Sequence, residues 1–305
     1  MPVENNFRST IKFVVVLFLH PKFYTMKKIF FVLFLFLPFL MNAQLVKTLR
    51  KTIELKMPGK VYVSVNTGGD SIPGTRGGAV AWHPVQKKYY AAFAGNWGYP
   101  LAVFDITGKL LSGDELTTME DMRGLWYNPT LKKLCGNTYS DYGWFSYKLD
   151  ANGIPEGSET IAEGMNQPGQ QSIGVINARS NMVYFLSGQN IFAYNAEAKM
   201  EEDSTVRLYA GISSKEDVNV DDAGETLSTD YSSNVMFYTG IPKAEFGLLN
   251  VVERQVELYD RKTGLMTQKL KLPADLPTWG AFNFSYANGT YWAFDQDTRI
   301  WTGYK

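Results

Sequence analysis

The chain has 305 residues, 45% of them hydrophobic and 20% charged, enough to bury a sizeable core in one large domain or two ordinary ones. Thirty basic residues balance thirty acidic ones, which argues against nucleic acid or an anionic membrane surface as a partner. A single cysteine, Cys135, excludes an intramolecular disulfide and reads as a small buried strand residue.

From the amino terminus, residues 26–43 carry the three parts of a secretory signal. Lys27 and Lys28 form the charged start, Ile29–Leu40 the apolar run, and Ala43 the small residue before a cut at Gln44. The apolar run is short for a membrane span, which takes about 20 residues. No cysteine follows it, so a lipid anchor is not expected, and neither is a span after cleavage. Residues 1–25 contain a second apolar run, Ile11–Leu19. Since Met26-Lys27-Lys28 has the look of a natural start, 1–25 is expected to be a mis-assigned upstream extension. The mature chain, 44–305, is then secreted, periplasmic or on the outer surface.

Long amphipathic helical patterns are missing beyond residue 60, and aromatic and β-branched runs separated by Gly, Pro, Asn and Asp take their place, so the class is all-β. Residues 78–111 read as three short strands, Ala79–Trp82, Tyr89–Ala94 and Leu101–Ile106, with a fourth starting near Lys109. Weaker copies follow. The turn WHPVQKKY at 82–89 returns as YNPTLKKL at 127–134, INARSNMVY at 176–184, TDYSSNVMF at 229–237 and FSYANGTYW at 284–292. Third strands also correspond: LAVFDITGKL, WFSYKLDANG, NIFAYNAEAK, QVELYDRKTG and RIWTGYK. Gly78, Gly124, Gly174 and Gly280 precede the first strands, where small residues would let backbones crowd an axis.

Four short strands per unit, recurring at about 45–55 residues, is the pattern of propeller blades. Over about residues 78–305 the chain resembles the broad NHL, YVTN and WD-type β-propeller superfamily, without the Trp-Asp ending of WD repeats. The resemblance implies a fold and little about function. The last unit stops at Lys305 after its third strand, while KTIELKMP at 51–58 resembles the fourth strand of the preceding unit, MTQKLKLP at 266–273. Thr52–Met57 is therefore expected to pair with Arg299–Gly303 and close a five-bladed ring. Val61–Val65 is left over, as an added strand or the vestige of a sixth blade. A two-sheet sandwich is the structural rival.

Blade-junction loops and second-to-third-strand loops of a propeller share one face, and binding residues favour loops on rigid scaffolds. The channel-mouth candidates on that face are Arg76, Asp121, Arg123 and Trp279 from the junctions, and Trp97, Tyr99, Tyr142, Trp144, Asp295 and Asp297 from the inner loops. The aromatics suit stacking on sugar rings or a peptide, and the two arginines suit an anion. A weak calcium candidate is Asp217, Asn219 and Asp221, oxygen donors at alternate positions, although Asp222 and Ser228 stand where glycine and a bidentate carboxylate belong. No nucleophile elbow, zinc helix or phosphate loop is present. The expectation is an exported binding or interaction module of the bacterial envelope or surface, with a protein or glycan partner. The alternative is a carbohydrate- or lactone-active hydrolase or lyase working through carboxylates such as Asp121, Asp141, Asp295 and Asp297.

Overall fold

The chain begins its described course with two consecutive strands, β1 (Leu45–Thr48) and β2 (Lys51–Lys56), that belong to sheets completed only at the far end of the sequence. The computed structural model describes residues 45–58, 76–218, 226–278 and 280–305. Val61–Val65 lies outside the described residues.

Five antiparallel blades follow. Blade 1 holds β3 (Gly78–His83), β4 (Lys88–Phe93) and β5 (Leu101–Asp105). Blade 2 holds β6 (Met122–Asn128), β7 (Lys133–Thr138), β8 (Trp144–Leu149) and β9 (Pro155–Ala162). Blade 3 holds β10 (Val175–Asn177), β11 (Met182–Ser187), β12 (Asn190–Tyr194) and β13 (Val206–Arg207). Blade 4 holds β14 (Tyr231–Tyr238), β15 (Phe246–Asn250), β16 (Gln255–Tyr259) and β17 (Met266–Lys271). Blade 5 holds β18 (Phe284–Ala287), β19 (Thr290–Asp295) and β20 (Ile300–Tyr304). The molecule is a five-bladed β-propeller.

The aromatic doublets explain why the blades stand face to face. Successive strand residues point to opposite sides of a sheet, and here both sides are covered by neighbouring blades. Tyr89 packs with Trp292 and Phe294 in the seam between blades 5 and 1, while Tyr90 packs with Leu134 and Tyr147 between blades 1 and 2. Phe185 and Tyr184 divide in the same way between the seams on either side of blade 3, as do Met236 and Phe237 around blade 4. Each of the five seams has its own apolar cluster. Cys135 is a buried member of one of them.

The ring closes as the sequence predicts. β2 is the outermost strand of blade 5, antiparallel to β20, with Leu55 opposite Trp301 and Ile53 opposite Gly303. Leu55 is fully buried, so the strand contributes packing as well as a covered edge. β1 goes beyond the prediction: it lies parallel to β17 as a fifth strand on blade 4, Val46 opposite Lys269. The front of the chain thus fastens two blades. In blade 1 the fourth position is irregular, with Leu111 N–H donating to the Val103 carbonyl and Val103 N–H to Ser112 Oγ.

The fourth unit departs from its expected register. The segment 229–237 is not a turn between two strands. It runs through β14, the innermost strand, which bulges between Tyr231 and Met236. The first turn of that blade is 239–245, held by Thr239 Oγ1 donating to the Ala244 carbonyl at 2.6 Å. The doublet Phe237-Tyr238 misleads because inner and second strands are both buried on two sides and carry the same residue types.

Candidate functional site: the channel and its two ends

The inner strands β3, β6, β10, β14 and β18 surround a cavity of about 270 Å³. At one end lie the junctions between blades and the loops joining second to third strands. Here the chain closes over the axis. A Cβ on Gly124 would come within 2.7 Å of the Gly174 backbone and 2.5 Å of Asn137 Oδ1, so two inner strands meet where only glycine fits. Asn137 Nδ2 donates to Gln167 Oε1 (2.6 Å) and to the Ser172 carbonyl (2.8 Å), while its Oδ1 accepts from Gly174 N–H (3.0 Å). Ala94, Ile173 and Phe282 form a buried apolar plug beside them. Gly280 makes no such close approach.

Arg123 completes that plug. Only 2% exposed, its guanidinium donates to Gln171 Oε1 (2.6 Å), Asp121 Oδ1 (2.5 Å) and the Met122 carbonyl (2.9 Å). It also lies over the rings of Tyr139 (4.7 Å) and Phe282 (5.6 Å). A buried cation paired with a carboxylate and held by a side-chain amide and a backbone carbonyl is a structural tie.

The other predicted residues scatter. Trp97 and Tyr142 are exposed on their loops, at 58% and 70%. Tyr99 is half-buried and packs on the core between blades 5 and 1. Trp144 is not at a mouth: it is 2% exposed, packs edge-on against Trp126 at 5.4 Å and donates Nε1–H to the Asn166 carbonyl. As the first residue of β8 it points into the seam. Asp295 Oδ1 accepts from Asp297 N–H (2.9 Å), so this carboxylate shapes its own turn. Asp297 and Arg76 are exposed. Asp217 ends a short exposed 3-10 turn, Lys215–Asp217. Trp279, Asn219 and Asp221 lie outside the described residues. Of the predicted set the structure joins Asp121 to Arg123, and brings no carboxylate into the cavity lining.

At the opposite end the first turns of the blades surround the axis, and among the described residues nothing covers it. The cavity is lined there by Trp82, Tyr127, Tyr238, Tyr286 and Asn288. Tyr286 stacks on Phe237 (5.8 Å, 22° between planes), Trp82 meets Tyr89 at 4.6 Å, and Tyr238 meets Tyr184 at 5.5 Å. Ser285 Oγ accepts from Val80 N–H (3.2 Å) and donates to the Val80 carbonyl (3.3 Å), stitching β18 to the free edge of β3. Asn288 Nδ2 donates to Tyr89 Oη at 2.9 Å. Burial pushes the Tyr286 and Tyr238 phenols above their ordinary range, with Arg179 and Arg261 near enough to Tyr238 to oppose the rise.

The sequence holds a signal for this end. An aromatic stands at or next to the last position of the inner strand in four units, Trp82, Tyr127, Tyr238 and Tyr286, with Ile176 in the fifth. Chemically, among the described residues the lining offers aromatic surface, three tyrosine phenols, the Ser285 hydroxyl and the Asn288 amide, and no carboxylate, imidazole, thiol or cationic side chain. His83 sits just behind it, buried and accepting at Nδ1 from Gln86 N–H. Burial pushes the Cys135 thiol up to about 12, so it is no nucleophile at neutral pH. Among the described residues no helix is long and apolar enough to cross a membrane.

No protein-family model and no curated protein matches this chain. Among solved structures it is similar to a glutaminyl cyclase from Myxococcus xanthus, at 8% identity over 86% of this chain and 98% of that one, with a TM-score of 0.48. It is also similar to a virginiamycin B lyase from Staphylococcus aureus, at 11% identity over 80% and 67%, TM-score 0.37. A nidogen/laminin complex matches at 10% identity and TM-score 0.37, over 68% of this chain and 66% of that one. Likenesses this distant decide nothing about function, and the fold stands on the topology of the blades.

Proposed function

We propose that the protein is an exported propeller that serves as a binding and interaction module of the bacterial envelope or surface, with the open end of its channel as the recognition site. Export is supported by the signal-like segment 26–43 and by β1, which starts directly after the expected cut. The observation that carries the binding reading is the composition of the cavity lining: aromatic and apolar walls with a few fixed polar groups, the usual make-up of a ligand pocket. General acid–base work needs a titratable group within reach of the substrate, and the titratable groups among the described lining are tyrosine phenols, of which burial pushes those of Tyr238 and Tyr286 upward.

The test is a pair of variants, Trp82→Ala and Tyr286→Ala, assayed against arrays of peptides and oligosaccharides. Ligands of the intact protein are expected to be lost from both variants. Ligands retained by both would move the site elsewhere. For export, sequencing of protein from the envelope fraction should begin at Gln44; full-length chain confined to the cytoplasm would end that part of the reading.

A further inference from the structure

The turns around the open end share a feature that folding alone does not require. Each first turn contains one non-glycine residue in the left-handed region: Lys87 (φ 52°), Lys132 (φ 55°), Asn181 (φ 56°), Lys243 (φ 64°) and Asn288 (φ 53°). Asparagine tolerates that conformation well, through its short side chain. Lysine has no such compensation, yet it holds the position in three blades. The side chains of Lys87, Lys132 and Lys243 make no hydrogen bond or ion pair among the described residues. Their neighbours do: Lys88 Nζ donates to the Asn152 carbonyl and Lys133 Nζ pairs with Glu159 at 2.6 Å. In the lysine pairs of blades 1 and 2, then, one member ties the fold and the other is spare.

The same turns expose aliphatic side chains: Val85 at 75%, Leu131 at 42% and Ile241 at 41%. A rim that alternates unpaired cations with apolar side chains, around an aromatic well of about 270 Å³, has the layout of a protein-recognition surface. The geometry points to the open end as the docking face for an extended acidic peptide that sets one aromatic or bulky apolar side chain into the cavity and its carboxylates over the lysines. The well is sized for one side chain, not a sugar chain, and its walls present few of the hydrogen-bonding groups that a glycan's hydroxyls need. Nucleic acid would call for a net positive field, which a chain with balanced charge lacks. This inference rests on the binding role of the cavity and adds the class of partner.

The test uses fluorescence anisotropy of a labelled acidic peptide with one central tryptophan, against the mature chain and two variants. The first is the triple change Lys87→Asn, Lys132→Asn and Lys243→Asn, which keeps residues suited to the left-handed turn. The second is Tyr286→Ala. The peptide is expected to bind, to weaken about tenfold or more in the triple variant, and to weaken as salt is raised. The same peptide with lysine in place of its acidic residues should not bind. Peptide affinity unchanged in the triple variant and indifferent to salt would overturn the acidic-peptide inference while leaving the cavity reading in place. Affinity unchanged in Tyr286→Ala would overturn the cavity reading itself. Should the triple variant fail to fold, the salt titration of the intact protein decides.

Discussion

The same five inner strands finish one way at the junction end of the channel and another at the turn end. At the junction end the buried polar groups are tied to the chain itself: Arg123 to Gln171 and Asp121, Asn137 to Gln167, and Gln167 to the Thr138 carbonyl. At the turn end, aromatic rings face open space and cations stand unpaired. The difference follows from connection length. Junctions such as 163–174 and 272–283 are long enough to fold back over the axis and set Ile173 and Phe282 into it. Four of the first turns have two to four residues and the fifth, 239–245, has seven; they reverse the chain locally and leave little to spare for a cover. Among the described residues this propeller, with its short first turns and long junctions, is therefore plugged at one end and open at the other, and the proposed recognition site lies where the plug is absent.

Two arginines give the widest test of that contrast. Arg123→Ala strips a buried partner from Asp121 and Gln171 and leaves a hole under Phe282, and is expected to cost about 3 kcal/mol or more. Asp121 keeps part of its hydration, which holds the loss toward the low end of that range. Arg179→Ala, on an exposed turn at the other end, should stay within about 0.5 kcal/mol. Chemical denaturation monitored by tryptophan fluorescence measures both. Equal losses would mean that the two ends are alike. A smaller effect sharpens the picture at the open end. Ser285→Ala removes both bonds to Val80 but leaves those backbone groups facing a cavity that water can enter, so about 1 kcal/mol is expected, read as a shift in denaturation midpoint at unchanged slope. A loss as large as that of Arg123→Ala would make the open end part of the frame.

The repeat and its closing strand are legible in the sequence because they rest on local signals. Aromatic doublets at the second strand, an Asp or Asn after the third strand and the likeness of 51–58 to 266–273 all report strand type directly. What the sequence hides is which strand a doublet belongs to when two strands are equally buried, as at Val235–Tyr238, and which end of the channel is covered. Loop aromatics such as Trp97 and Tyr142 draw the eye to the junction end by their residue type, yet coverage depends on how a long junction folds, which no short motif states. Arg123 shows the same limit. Asp121 two residues earlier places a carboxylate on the same side of the strand, and that neighbour, rather than a ligand, takes up the charge. The aromatics at the open end are legible in the repeats, at or next to the end of the inner strand in four of the five units.

The smallest expected effect concerns His83, whose ring packs against Tyr127 at 4.3 Å beside the open end. Burial, the largest influence, lowers its pKa; its own backbone hydrogen bond opposes this and the charge of Lys88 adds to it. The folded chain therefore resists protonating this imidazole, while the unfolded chain takes up the proton near its ordinary value of about 6.5. Between that value and the lower folded one the unfolded state binds more protons, so stability falls as pH drops below about 6.5 and is regained above it. Asn128 fills the equivalent place in blade 2, its Oδ1 accepting from Thr130 N–H (2.9 Å) and Leu131 N–H (3.0 Å) without any titration. His83→Asn should thus fold with nearly unchanged stability at pH 8 and lose less of it than the parent chain between pH 7 and 5. Thermal melts of the two proteins across that range isolate the histidine from the carboxylates, which titrate alike in both. Parallel curves would show that the imidazole is free to protonate in the folded state, and that the wall behind Tyr127 is looser than its packing implies.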